Sequence, residues 1–177
     1  KAAREHARAT YAKLRALYPD AHCELDHRDP FTLLVSTVLS AQTTDVLVNK
    51  VTPHLFAAYP DAPSLAAADP EDVGRLLRER GLGMYNQKAK NIVGLARGLI
   101  ERHRGQVPRT LAELIELPGV GRKTANVVLN VSFGEPTIAV DTHIFRVSNR
   151  TGLAPGKTPF DGEQELERVI PTEYKLH

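Results

Sequence analysis

The sequence has a single cysteine and no long hydrophobic run, and these two absences restrict the classes of protein to which it can belong. Cys23 alone cannot form a disulfide within the chain, and these residues cannot build a metal site from cysteines. One free thiol is compatible with a reducing cytoplasm. Because no apolar run reaches membrane-spanning length, the 177 residues are expected to form a soluble domain with one sizeable core or two small ones.

The net charge is also small, because 23 basic and 21 acidic side chains leave a formal net charge of only +2. A protein that binds polyanions in general usually carries a larger positive excess. Composition therefore gives little reason to expect nucleic-acid binding. Any contact with DNA must come from charge that is placed locally.

Strand patterns are missing as well, and helix signals follow one another along almost the whole chain. Asp29 before Pro30 and Asp69 before Pro70 are typical of an N-cap followed by proline at the first helical position. Pro53 predicts a kink or an early break within its helix. With no alternation of strands and helices, the predicted fold class is all-α.

Residues 117–130, with the sequence LPGVGRKTANVVLN, place two glycines and two basic residues at the start of a predicted helix. Gly119 and Gly121 permit tight backbone geometry and close approach by another molecule. The helix start behind them offers unpaired N–H donors and positive dipole potential, which favour an anion such as phosphate. Arg122 and Lys123 add positive charge. The alternative is a plain turn between helices that needs glycine for steric reasons.

Lys123 lies in the first turn of that helix, where the dipole disfavours a cation, and burial would disfavour the charged form further. Both effects favour the neutral amine, which can attack an electrophilic carbon. The alternative is a solvated surface lysine, or one that only contacts phosphate.

Asp141, in the segment TIAVDTHIFR, is predicted to cap a later helix whose N–H donors hold the carboxylate ionised. A buried carboxylate facing a neutral lysine is suited to act as a base and to stabilise a cation. A plain N-cap is the alternative. His143 is able to contact a ligand, but a packed or hydrogen-bonded histidine is the more common explanation for such a residue.

The segments LPGVGRKTA and VDTHIFRV together resemble the helix-hairpin-helix DNA glycosylases with the Gly-Pro-Asp loop, and among them the endonuclease III family. The resemblance extends from about residue 10 to 177 and includes PFTLLVSTVLSAQTTD and APGKT. It implies an all-helical fold of two lobes with a cleft between them that holds the active site. Residues 20–133 would form the central domain, with the hairpin at 111–133. Residues 1–19 and 134–177 would form the second domain, with its C-terminal part missing.

The resemblance implies a bifunctional DNA glycosylase and AP lyase that excises oxidised pyrimidines from duplex DNA in base excision repair. The target nucleotide leaves the base stack so that chemistry can occur at its sugar. Lys123 would attack C1′, expel the base and form a Schiff base, after which β-elimination breaks the strand 3′ to the lesion. Asp141 would assist deprotonation of the lysine and stabilise positive charge on the sugar.

The resemblance also implies roles in DNA binding. The hairpin would bind backbone phosphate through its N–H groups without reading sequence, and the carbonyls of Leu117 and Val120 would offer a site for a monovalent cation. Gln42 matches the residue that fills the hole left by the flipped nucleotide. The second wedge would be either Leu82 or Met84, and both are kept because GLGMYN is longer than the corresponding family segment. His143 is assigned to the lesion pocket. The predicted DNA-binding residues are Leu117, Gly119, Val120, Gly121, Arg122, Thr124, Gln42, Leu82 and Met84.

Members of the family commonly carry a 4Fe–4S cluster on four cysteines in the C-terminal segment, and none of these cysteines is present in the sequence. We expect the chain to be truncated, because IPTEYKLH matches the segment that leads into the cluster region and ends at His177. The lysine chemistry itself requires no cofactor. The expected partner is damaged double-stranded DNA, bound by a cytoplasmic monomer without membrane contact, associated with the nucleoid if the source is bacterial.

Two alternatives are left. A monofunctional glycosylase of the same superfamily, specific for adenine or mismatches, generally has a residue other than lysine at the position of Lys123. A non-catalytic DNA-binding hairpin module needs no lysine and carboxylate together, so Asp141 argues against it.

Overall fold

The computed structural model describes residues 1–176 and shows ten α-helices and one turn of 3₁₀ helix within them. No strand occurs in that range, as the all-α prediction requires. None of these helices is long and apolar enough to cross a membrane. The elements are α1 (Ala2–Leu17), α2 (Pro30–Leu39), α3 (Asp45–Ala58), α4 (Ala62–Ala66), α5 (Pro70–Glu79), α6 (Tyr85–His103), α7 (Leu111–Ile115), α8 (Arg122–Phe133), α9 (Thr142–Thr151), α10 (Pro159–Val169) and the 3₁₀ turn (Thr172–Tyr174).

Capping side chains set the starts of several helices. Asp29 accepts a hydrogen bond from the backbone N–H of Thr32 at 2.7 Å, and Asp69 accepts one from that of Glu71 at 2.9 Å. Both predicted caps are therefore confirmed. Asp61 caps α4 in the same way, although this short helix was not predicted from the sequence.

The helix α3 continues past Pro53 to Ala58, so the predicted early break was wrong. A proline inside a helix removes one backbone donor and crowds the preceding turn. Val48 and Val51 before the proline and Leu55 after it are fully buried. Because this apolar stripe is anchored on both sides of the proline, the helix stays continuous.

The chain divides into two compact units, one of which comprises residues 24–128. In this unit α2 is buried along its length from Phe31 to Leu39. The longest helix, α6, packs against α2, α4 and α5. The unit carries α7, the turn after it and the first half of α8, so residues 111–128 of the predicted hairpin belong to it.

The other unit comprises residues 1–23 and the residues from 129 onward. Its α1 is attached at two points: Tyr11 stacks on Tyr174 with ring centroids 3.9 Å apart, and His6 hydrogen-bonds to the carbonyl oxygen of Thr151 at 3.1 Å. The residue immediately before Asp141 belongs to the hydrophobic core of this unit, and this packing fixes the backbone at that point. That core contains Val140, Ala154 and Leu166, with Ile138, Phe145, Leu153 and Ile170 packed around them.

Candidate active site and nucleic-acid interface

The turn between α7 and α8 packs closely on α6 where that helix carries glycine. A Cβ atom placed on Gly98 would lie 2.9 Å from the side chain of Leu117, and one on Gly94 would lie 3.2 Å from that of Pro118. Leu117 and Val120 are buried, whereas Pro118 is exposed. The buried side chains anchor the turn, so Leu117 and Val120 can reach DNA only through their backbone.

The two glycines of the turn differ in whether the protein's own structure requires glycine at that position. Gly119 has a φ of +75°, and a Cβ there would come within 2.9 Å of Asn91. Gly121 has no positive φ, and no atom lies within 4 Å of a Cβ placed on it. The protein's own packing therefore requires glycine at position 119. At position 121 the protein's own packing does not require glycine.

The start of α8 presents backbone donors beside a lysine. The N–H of Ala125 donates to the carbonyl oxygen of Gly121 at 2.9 Å, which makes Gly121 the residue at the helix mouth. Donors of the first turn have no acceptor earlier in the helix. Arg122 and Thr124 are half-buried, and Lys123 is exposed. An anion at this helix start would meet backbone N–H groups and basic side chains together.

The exposure of Lys123 differs from the burial that the sequence analysis considered. The buried face of α8 carries Ala125, Val128 and Leu129, and Lys123 projects from another side of the helix. Its ammonium group is therefore open to solvent and to an approaching molecule.

Asp141 caps α9, as predicted. Its Oδ1 accepts the backbone N–H of Ile144 at 2.8 Å, and its backbone is extended, with φ −100° and ψ −176°. No other hydrogen bond of this carboxylate occurs within residues 1–176. The carboxylate is half-buried rather than fully buried. Since the cap uses only Oδ1, Oδ2 can accept a proton or face a cation.

His143 is exposed, and its Nδ1 accepts a hydrogen bond from the guanidinium of Arg146 at 3.2 Å. The ring is therefore protonated on Nε2 when it is neutral. A hydrogen-bonded histidine of this kind is the alternative to a ligand contact at this position. The assignment of His143 to a lesion pocket stays a prediction.

The predicted wedge residues differ in exposure. Leu82 is 2% exposed and belongs to the core, whereas Met84 is 50% exposed. Gln42 is also exposed. Gln42 and Met84 both have a φ of 53°, in the left-handed region that residues other than glycine rarely adopt. Such conformations cluster at functional sites, so Met84 fits the role of an exposed wedge better than Leu82 does.

Sequence reasoning missed the residues that hold these segments in place. Gly94 and Gly98 are spaced by one helical turn on α6, which is a signal for close packing against that face. Lys88 occupies a core position of the same helix, four residues before the buried Ile92. A lysine on an apolar stripe was a signal of an unusual environment that the sequence analysis did not use.

The described residues do not fit the iron–sulfur cluster that the resemblance implies. A 4Fe–4S cluster of this kind needs four cysteine ligands, and Cys23 is the only cysteine in the sequence. Within residues 1–176 no group of three or more His, Cys, Asp or Glu side chains is placed to hold a metal ion.

Comparison with known proteins places this arrangement in a family. Residues 35–172 match the model of the HhH-GPD superfamily of base excision DNA repair proteins. Endonuclease III of Escherichia coli K12 is 49% identical over 164 residues, which cover 93% of this chain and 77% of that protein. Endonuclease III of Bacillus subtilis 168 is 47% identical over 162 residues, covering 91% of this chain and 73% of that protein.

Solved structures give the same relationship. A structure of a trapped covalent intermediate of an endonuclease III with DNA matches with a TM-score of 0.91 at 46% identity, covering 98% of this chain and 81% of that chain. A thermostable thymine-DNA glycosylase, at 23% identity and a TM-score of 0.76, shares the fold. The chain belongs to the endonuclease III family of the HhH-GPD superfamily of base excision DNA repair proteins.

Proposed function

We propose that this protein excises oxidised pyrimidines from duplex DNA and then cuts the strand, acting as a monomer in the cytoplasm, on the nucleoid if the source is bacterial. It is a DNA glycosylase and AP lyase of base excision repair, with DNA as its partner. The observation that carries the proposal is the placement of Lys123 at an exposed helix start directly after a glycine turn. That arrangement brings a potential nucleophile to a surface suited to bind phosphate.

In the proposed reaction the turn and the helix start bind the DNA backbone, and Lys123 acts on the extruded nucleotide. The Nζ atom attacks C1′, the bond from C1′ to the base breaks, and the base leaves with the electron pair. The amine loses a proton, and opening of the sugar ring gives a Schiff base. Removal of a C2′ proton then drives β-elimination, which breaks the C3′–O bond.

Asp141 contributes a carboxylate that is already oriented. Its Oδ1 is held by the N–H of Ile144, so Oδ2 can take up the proton from the amine or stabilise positive charge that develops on the sugar. Both roles need the negative charge, whereas the cap needs only an oxygen acceptor. Substitution by asparagine therefore separates the two functions.

The two glycines of the turn provide a test of phosphate binding. Gly121→Ala is expected to leave the melting temperature unchanged, because its Cβ meets no protein atom, and to weaken DNA binding by obstructing the backbone. Gly119→Ala is expected to lower both stability and affinity, because of its positive φ and its contact with Asn91. The measurement is the dissociation constant for duplex DNA as a function of salt. The logarithm of the wild-type affinity should fall linearly with the logarithm of the salt concentration. If Gly121→Ala kept the wild-type affinity and the wild-type salt slope, the turn would not belong to the DNA interface.

The exposures of Leu82 and Met84 give a second test. We assign the wedge role to Met84, with Gln42 filling the hole left by the flipped nucleotide. Met84→Ala is expected to preserve stability and to reduce the preference for damaged over undamaged duplex. Leu82→Ala is expected to cost about 2–5 kcal/mol of stability, as for other buried leucines. Urea unfolding measures the stability, and competition binding measures the preference for damaged duplex. If only Leu82→Ala lost this preference, after correction for the unfolded fraction, Leu82 would be the wedge instead of Met84.

The function is tested with duplexes that are identical except for one base pair. One carries an oxidised pyrimidine, and a second carries a mismatched adenine. We expect base release and strand cleavage on the first duplex, with an unsaturated aldehyde at the 3′ end from β-elimination. Base release without cleavage would indicate a monofunctional glycosylase, and binding without either reaction would indicate a non-catalytic module.

A further inference from the structure

Lys88 is a buried cation with no role in the reaction described above. It lies in the first turn of α6, and it is 2% exposed. Its Nζ donates a hydrogen bond to Oγ1 of Thr43 at 2.6 Å. No carboxylate within residues 1–176 forms an ion pair with it. Burial lowers the pKa of Lys88, and placing an ammonium against a neutral partner is an expensive arrangement.

The acceptor of this hydrogen bond lies in the turn that carries Gln42. The hydroxyl of Thr43 donates in its turn to the carbonyl oxygen of Ala41 at 3.3 Å. The backbone N–H of Thr43 donates to the carbonyl oxygen of Ser40 at 3.1 Å, which closes the turn. Lys88 thus reaches a residue whose hydroxyl and backbone N–H each donate a hydrogen bond across Gln42, the residue with the left-handed φ of 53°.

The backbone of Lys88 is connected to Met84, which is exposed and has the same conformation. Its N–H donates to the carbonyl oxygen of Met84 at 3.0 Å, and Met84 is the N-cap of α6 with the same φ of 53°. The side-chain bond from Lys88 to Thr43 therefore ties the turn of residues 40–43 to the first turn of α6, which begins directly after Met84. Left-handed residues other than glycine persist where the surrounding structure fixes them, and this bond fixes the position of one turn against the other.

We propose that Lys88, acting through Thr43, is a positioning residue that holds Gln42 and Met84 in a preformed arrangement for entry into the DNA duplex. This inference rests on the wedge role proposed for those two residues. A preformed pair avoids the entropy cost of ordering two flexible side chains at the moment of binding. The lysine accordingly contributes to recognition of the damaged site while remaining out of contact with DNA.

The test compares Thr43→Val, which removes the hydroxyl and keeps the shape, with Thr43→Ser, which keeps the hydroxyl. Each variant is titrated with a duplex that contains an uncleavable abasic-site analogue and with the undamaged duplex. A 2-aminopurine opposite the analogue reports insertion by its fluorescence. We expect Thr43→Val to lower the ratio of the two affinities by about tenfold and to lose the fluorescence change. Thr43→Ser should retain both, and both variants should keep the wild-type circular dichroism spectrum.

Lys88→Met provides a second path to the same measurement, and the double variant of Thr43→Val and Lys88→Met should lose no more than either single variant. Additive losses in the double variant would overturn the linkage. A wild-type affinity ratio in Thr43→Val, or an equal loss in Thr43→Ser, would also overturn it.

Gln42→Ala and Met84→Ala separate this inference from the proposal on which it rests. If both lower the affinity ratio while Thr43→Val does not, only the positioning role is wrong. If neither lowers it, the proposed insertion fails and the positioning role fails with it.

Discussion

Lys123→Gln is expected to abolish strand cleavage and covalent trapping by borohydride while DNA binding persists. The amide of glutamine cannot form a Schiff base, and loss of a covalent nucleophile reduces the rate by at least about three orders of magnitude. Because Lys123 is exposed, the change in stability should stay within about 0.5 kcal/mol. The measurements are single-turnover cleavage of a duplex with one oxidised pyrimidine and the yield of adduct on a denaturing gel.

Lys13→Gln is the matched control, since Lys13 is an exposed lysine on α1 and the same charge is removed. This variant should cleave and trap like the wild type. Cleavage by Lys123→Gln at a rate close to that of Lys13→Gln would show that the nucleophile is another group.

Asp141→Asn is expected to retain DNA binding and to lose base release by about 10²- to 10⁴-fold, the usual contribution of a positioned acid or base. Asparagine is as good an N-cap as aspartate, so α9 should start at the same residue and the stability should be preserved. The measurements are single-turnover base release, the dissociation constant for a damaged duplex, and the melting temperature.

Asp69→Asn makes the same change at the cap of α5 and should leave base release unaffected. Asp141→Ala removes the cap as well as the charge and should cost about 1 kcal/mol of stability in addition. Turnover of Asp141→Asn equal to that of Asp69→Asn would mean that Asp141 serves only as a cap.

Local signals predicted most of the helices because capping depends on residues close together in sequence. Asp29, Asp69 and Asp141 each accept a backbone N–H two or three residues ahead, and the sequence predicts each of them as a cap. The helix at 62–66 was missed although Asp61 gives the same signal, since five residues are too few to show helical periodicity.

The finer features of the site depend on contacts between residues far apart in sequence. Gly119 and Gly121 are equivalent in a sequence pattern, and only the positive φ of Gly119 and the position of Asn91 on α6 distinguish them. The choice between Leu82 and Met84 follows from which of them the core buries. The link from Lys88 to Thr43 spans 45 residues, and no local pattern indicates the partner of a buried lysine.

The most direct test of the central claim is the location of the covalent bond. The wild-type protein is incubated with a duplex that contains one oxidised pyrimidine, trapped with borohydride, digested, and analysed by mass spectrometry. We predict that the sugar remnant is attached to the peptide that contains Lys123, at its Nζ atom. Attachment to any other residue, or no adduct while the base is released and the strand is cut, would contradict the account.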